Sequence, residues 1–232
     1  MKSYATILLI ILSFAGTVAQ TNKFDTNGKR HGIWKKYYKN GNIKYTGKFN
    51  HGKEVGIFKH YSILDSKQPI IIRQFEPNSD IAFVRFYNLN GKIESEGKMQ
   101  GKNKIGKWIY YHKDGKSIMI EENYLNGKLN GAYKTFYPDG KPTIVANYKN
   151  GKLDGKYQRY SIKNKIFEDF TYKNGKRNGY AIFYNRLTGL KQEEGNYKND
   201  VKVGLWKFYI DGEFARSIDM DAENAKYPKI KK

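Results

Sequence analysis

Cysteine is missing from this 232-residue chain, so disulfide frameworks, thiolate metal sites, cysteine nucleophiles and a lipidated N-terminal cysteine are all excluded. Proline is scarce at 5 residues beside 23 glycines. Glycine in that proportion serves turns and not a proline-rich linker. Acidic residues number 22 against 43 Lys and Arg, and the formal net charge of +21 favours anionic partners such as lipid head groups, lipopolysaccharide, acidic proteins or nucleic acid. Solubility alone is the plain alternative, because the lysines are spread along the whole chain. Beyond the first 20 residues no run is apolar enough to cross a membrane as a helix.

Aromatic residues, by contrast, are abundant, with 20 Tyr and 13 Phe at a mean hydropathy of −0.79. A chain this polar cannot build a thick aliphatic core, and its apolar area must come from rings spread along a thin sheet or a repeat array. At the N-terminus, Met1-Lys2 precedes the apolar run Ala5 to Phe14, then small residues with Thr17 and Ala19 at the −3 and −1 positions. This layout is that of a signal peptide over residues 1–19, cleaved before Gln20. A membrane anchor is the competing reading, but the run falls short of the about 20 residues a span needs. The expected location is secreted or periplasmic.

The remainder is periodic. Gly-Lys-x-x-Gly recurs at Gly28–Gly32, Gly52–Gly56, Gly127–Gly131, Gly151–Gly155 and Gly175–Gly179, and in a form one residue longer at Gly101–Gly106. Asp200–Gly204 has lost the first glycine, and Asn78–Ala82 is a decayed copy. Five residues past each second glycine stands a ring: Tyr37, Tyr61, Tyr87, Tyr111, Phe136, Tyr160, Tyr184 and Tyr209. A second series, two past the glycine, runs Trp34, Phe58, Val84, Trp108, Tyr133, Tyr157, Ala181 and Trp206. A third precedes the motif at Phe49, Phe75, Met99, Tyr124, Tyr148, Tyr172 and Tyr197.

Between the motifs lie Asn40-Gly41, Asn90-Gly91, Asp114-Gly115, Asp139-Gly140 and Asp211-Gly212, dipeptides that favour type I′ hairpin turns. Tight turns alternating with Gly-Lys-x-x-Gly turns predict one β-hairpin per unit. The expected fold is all-β: an elongated single-layer antiparallel sheet of about eight tandem hairpins over residues 20–215, advancing about 10 Å per unit. A basic tail over 216–232 follows, as one helix or a disordered cap. The rings are expected to be core first, stacked between hairpins, with an aromatic ligand groove as the rival reading.

The stretch Tyr45-Thr-Gly47-Lys-Phe49-Asn-His-Gly52-Lys-Glu-Val-Gly56 resembles the MORN repeat. The steps Gly32-Ile-Trp34-Lys-Lys-Tyr37 and Gly204-Leu-Trp206-Lys-Phe-Tyr209 resemble its bacterial variant type. The resemblance runs over about residues 24–215. In that frame Gly32, Gly56, Gly106, Gly131, Gly155, Gly179 and Gly204 are structural, as are Trp34, Trp108, Trp206 and the rings Tyr37, Tyr61, Tyr111, Tyr160, Tyr184 and Tyr209. It implies a repeat sheet that contacts proteins, scaffolds at membranes or binds phospholipid, and in many bacterial members an antitoxin label. A leader peptide sits badly with an antitoxin, which acts in the cytoplasm. The third unit departs from the pattern by losing its glycines, and Ser62 to Pro69 is an insertion.

Candidate chemistry is sparse. His31, His51, His60 and His112 read as turn or strand histidines, with His31 and His51 at non-equivalent repeat positions. Glu121-Glu122, Glu193-Glu194 and the pair Glu94 and Glu96 are near-neighbour carboxylates that a glycosidase would use, yet cross-strand pairing with lysine is simpler. No Ser-His-Asp order, phosphate loop or dinucleotide fingerprint occurs, so neither an enzyme nor a cofactor or metal is expected. The best surface constellation is Lys29, Lys53, Lys102, Lys128, Lys152 and Lys176, thickened by Lys98, Lys149, Lys173 and Lys198. On a regular sheet they line one long edge as a candidate anion-binding stripe, or they merely solvate turns and discourage aggregation. The expected partner is a protein or cell-envelope component, alternatively an anionic lipid, lipopolysaccharide or other polyanion, or a toxin. Export makes nucleic acid the least favoured.

Overall fold

The computed structural model describes residues 21–226, so the leader over 1–19 and the end of the basic tail lie outside the described residues. Eighteen strands form a single open antiparallel sheet. Each strand pairs with its neighbour in sequence, from Arg30–Tyr37 on Ile43–Asn50 and Ile43–Asn50 on Lys53–Tyr61 to Lys191–Lys198 on Val201–Ile210 and the latter on Glu213–Asp219. The short strands Lys128–Leu129 and Gly131–Phe136 both pair with Ile118–Leu125 and act as one strand interrupted at Asn130.

The turn chemistry differs from the sequence reading in an instructive way. Of the five Asn-Gly and Asp-Gly dipeptides expected to form type I′ turns, only Asp211-Gly212 has both residues at positive φ. The others close longer loops. Gly41 donates its N–H to Tyr38 O at 3.1 Å while Tyr38 N–H donates to Asn42 O at 2.8 Å, and the same pair of bonds recurs at Tyr137 and Gly140. This is a three-residue loop, a type I turn followed by a left-handed glycine, and Pro138 suits its second position. Two-residue turns with both φ positive lie instead at the head of the Gly-Lys motif: His51-Gly52, Asn126-Gly127, Asn150-Gly151, Asn174-Gly175 and Asn199-Asp200.

Gly-Lys-x-x-Gly is therefore not itself a turn. In the copies that begin at Gly52, Gly127, Gly151 and Gly175 the first glycine ends a two-residue turn, the lysine opens the next strand, and the second glycine bends the chain there. Between Ala146/Tyr148 on one strand and Tyr157/Leu153 on the next, one side advances by two residues and the other by four. The extra residues include Gly155 at φ 103°, a conformation costly for any side chain.

The bend seats the core. Trp206, Trp108 and Phe58 are buried, each lying across a glycine on the preceding strand: Gly195, Gly97 and Gly47. A Cβ on any of the three would stand inside the ring's contact surface, closer than the 3.0 Å that real Cβ atoms keep. The indole Nε1 of Trp108 donates to Lys98 O at 2.9 Å, and that of Trp206 to Asn196 O at 3.0 Å. Each acceptor is the residue after the glycine, where the bulge interrupts the ladder. Elsewhere the same row trades sizes: Tyr157 faces Ala146 and Phe170 on its two sides, and Phe170 faces Ala181.

Of the three ring series expected in the core, the second and third share one face and build it, with Trp34–Phe49 and Tyr197–Trp206 as edge-on pairs at 5.9 and 5.1 Å. The first series does not join them. An odd number of residues separates it from the second along a strand, so it points to the opposite face, where Tyr37 is 50% exposed. A further row one residue earlier, including His60, Phe86, Tyr110, Phe183 and Phe208, leans on the core.

The C-terminal segment continues the sheet past residue 215. Glu213–Asp219 pairs with Val201–Ile210, and the helix Met220–Lys226 folds back so that Met220 packs on the Trp206 cluster. Asp219 Oδ1 accepts the N–H groups of Asp221 and Ala222 at 3.0 and 3.4 Å, as an N-cap does. The helix thus covers the last exposed core ring, the role of a terminal cap in a repeat array.

Candidate functional site

The turns at the head of each Gly-Lys motif stack along one long edge. Gly52, Gly151, Gly175 and Asp200 donate their N–H groups to the carbonyls of Arg30, Leu129, Leu153 and Arg177 in the preceding unit, at 2.7 to 3.0 Å. Side chains repeat the link: Asn150 N–H donates to Asn130 Oδ1 at 3.2 Å, and Asn174 N–H to Asp154 Oδ2 at 3.0 Å. The edge is therefore a hydrogen-bonded column of turns.

Lys53, Lys128, Lys152 and Lys176 occupy one station in that column, the first residue of a strand paired across the turn. Lys29 reaches the same place, since its methylenes lie 3.6 to 3.8 Å from where a Cβ on Gly52 would stand, as those of Lys152 do near Gly175. Lys102 does not. The extra residue in its motif leaves Lys102 inside the turn bracketed by Gln100 and Asn103, and Asn103 takes the station. All six lysines are exposed, and none has an ion-pair partner among the described residues. Of the flanking set, Lys149, Lys173 and Lys198 are likewise unpaired, whereas Lys98 bonds Glu76 at 2.7 Å.

The residue after the station points to the ring face, and in three units it is a cation lying against a ring. Arg30 stands 4.3 Å from the Phe49 ring centre, Arg177 4.3 Å from Tyr197, and Lys202 4.0 Å from Trp206. Sequence reasoning missed this cationic row. Its signal was present in the Gly-Lys-Arg triplets at 28–30 and 175–177, where alternation sends Lys and Arg to opposite faces.

The adjacent carboxylates separate for the same reason. Glu193 bonds Lys202 at 2.6 Å on the ring face, while Glu194 accepts from Tyr209 Oη at 2.6 Å and Lys191 Nζ at 2.9 Å on the other, with Tyr180 also donating to it. Burial alone would raise the Glu194 pKa, but those donors outweigh it and hold the group at about 2. Glu121 bonds Lys107 at 2.7 Å, and Glu122 accepts from Tyr124 at 2.7 Å, again on opposite faces. Neither pair forms the facing carboxylates that glycoside hydrolysis requires.

The histidines hold one surprise. His31 and His51, at non-equivalent repeat positions, meet with ring centres 4.8 Å apart, and His51 Nδ1 is 2.6 Å from Asp25 Oδ2. The long first turn brings Asp25 back to the column, where Lys29 N–H and His51 lower its pKa. Among the described residues no cluster of three His, Asp or Glu side chains is arranged to hold a metal ion. His60 lies on the ring face between Tyr45 and Phe58, and burial lowers its pKa.

A family model described as the MORN repeat variant matches residues 30–51 and 129–150. No curated protein matches the chain. Each matched segment is one hairpin with its closing turn, from Arg30–Tyr37 and Ile43–Asn50 in one case and Gly131–Phe136 and Pro142–Lys149 in the other. The units between and beyond them repeat the bend and ring placement, except at Ile81–Tyr87, which pairs with Pro69–Phe75 without a bulge. MORN repeats commonly mediate binding to proteins or membranes. The all-β tandem hairpins over the described residues fit a MORN-repeat family, which the family model matches directly at these two segments.

Proposed function

We propose that the protein is an exported, non-catalytic scaffold that binds a protein or cell-envelope component along its lysine-lined edge. The observation that carries this reading is the column of stacked turns presenting exposed lysines with no acidic partner among the described residues. Unpaired charge held on a rigid backbone ladder meets a complementary surface with little ordering cost. Affinity capture from envelope fractions at increasing salt tests it: a partner retained at low salt and released as salt rises is the expected result. Recovery of no stable partner at any salt contradicts it.

A second reading, an anionic lipid or extended polyanion on the same edge, is favoured by the spacing. From Lys128 through Lys152 to Lys176 one lysine recurs per two-strand unit, at about 10 Å, which suits a repeating charge better than a single acidic side chain. Replacing Lys53, Lys128, Lys152 and Lys176 by Gln then abolishes binding to anionic vesicles or lipopolysaccharide. Unchanged binding rules this reading out.

A further inference from the structure

Charge is not uniform along the lysine edge. At each two-residue turn the residues before and after it face each other directly across the ladder: Asn50 and Lys53, Leu125 and Lys128, Lys198 and Val201. Only two adjacent turns place lysine on both sides, with Lys149 opposite Lys152 and Lys173 opposite Lys176. Like charges directly opposite on a sheet destabilise it, and here two such pairs lie in consecutive units, two strands or about 10 Å apart. None of the four has an ion-pair partner among the described residues, although Lys156, four residues further along the strand Lys152–Tyr160, bonds Asp169 at 3.4 Å.

A cleft of about 610 Å³ opens between these two turns, lined by Lys149, Lys152 and Lys173 with Asn150, Asn174 and Asn178. Its acidic side chain, Asp154, is engaged by the Asn174 N–H at 3.0 Å. A local rule is thus broken twice at one place, around a concavity lined by ammonium and amide groups. Such conflicts mark functional positions.

We propose that this cleft is a discrete oxyanion site, in which a multiply charged phosphate or sulfate group is held by Lys149, Lys152 and Lys173, with Lys176 adding its charge from across the second turn. The inference rests on the lysine-edge reading and sharpens it from a diffuse stripe to one locus in the C-terminal half. The group belongs either to a soluble phosphorylated or sulfated ligand or to a lipid head group, and both present the same charged oxygens.

Two double variants with the same change in net charge test the assignment: Lys149→Gln/Lys173→Gln at the cleft, and Lys29→Gln/Lys53→Gln elsewhere on the edge. The ligands are inorganic pyrophosphate, read by calorimetry, and vesicles of phosphatidylcholine with and without phosphatidic acid, read by co-sedimentation. The cleft variant is expected to lose about tenfold or more in affinity, and the edge variant less than about threefold. Loss in the pyrophosphate arm assigns a soluble ligand, and loss in the vesicle arm alone assigns a head group. Equal weakening by the two variants overturns the discrete site and leaves the edge reading standing. No binding of either ligand by the unaltered protein overturns the discrete site and, with it, the anionic lipid or polyanion reading of the edge, while the protein-partner reading stands on its own capture test. A readout independent of ligand is thermal unfolding at low salt, where the cleft variant is expected to melt above the parent because each like-charge pair has been relieved. A lower melting temperature refutes the repulsion on which the site is argued.

Discussion

The core row makes a quantitative claim about Gly195 and Trp206. A methyl at Gly195 must displace an indole that is fully buried and bonded through Nε1 to Asn196 O at 3.0 Å. Overpacking of this kind costs about 1–3 kcal/mol and loss of the indole bond about 1 kcal/mol more, so Gly195→Ala is expected to destabilise by about 2–4 kcal/mol. Trp206→Ala leaves a cavity and costs about 3–5 kcal/mol. The neighbouring unit suggests a rescue, because there the large residue is Phe170 and the small one Ala181, the reverse order across the equivalent strand pair. Combining Gly195→Phe with Trp206→Ala copies that arrangement. The double variant is expected to be more stable than the sum of the single changes by about 1–3 kcal/mol, the range of coupling between residues in contact. Urea unfolding followed by circular dichroism on all four proteins completes the cycle. Additive effects within about 0.5 kcal/mol refute the idea that one large side chain per strand pair, on either strand, fills the row.

Three further outcomes follow from single groups. Burial lowers the His60 pKa from its ordinary 6.5, so the folded protein prefers the neutral ring. Stability is then complete above pH 6.5 and declines as pH falls below it, and His60→Phe is expected to flatten that part of the pH profile of the urea midpoint. Glu194, held at about 2 by Tyr180, Tyr209 and Lys191 against the penalty of burial, contributes stability above its ordinary 4.5 that is lost as pH falls towards 2. Carboxyl NMR titration checks the value, and Tyr209→Phe is expected to raise it. Asp219→Ala removes the cap of the terminal helix at about 1 kcal/mol. Faster hydrogen exchange confined to residues 220–226 and the strand beneath them is the expected signature.

Much of the architecture could be read from the chain because three independent periodicities share one phase. A Gly-Lys motif, a ring two residues past it and a ring before it fix strand, bend and face together, and the all-β sheet of consecutive hairpins follows. What escaped was local. Asn40-Gly41 and Asn150-Gly151 are the same dipeptide, yet one closes a three-residue loop and the other a two-residue turn. The number of residues between the paired strand ends decides this, and it depends on register. The face of the Tyr37 series likewise depended on whether the bend lay before or after it. The meeting of His31 and His51 was hidden because turn stacking, and not repeat position, brings them together. At the candidate site, Lys53, Lys128, Lys152 and Lys176 share one position across the turns, while Lys102 is displaced by the one extra residue in its motif.

The most direct test of a lysine-edge scaffold is a footprint of lysine reactivity on the protein bound to cell-envelope material. The account predicts that Lys53, Lys128, Lys152 and Lys176 become protected on binding, while Lys39, Lys113 and Lys163, exposed on loops of the opposite edge, stay as reactive as in the free protein. Protection of the opposite edge, or of neither, contradicts it.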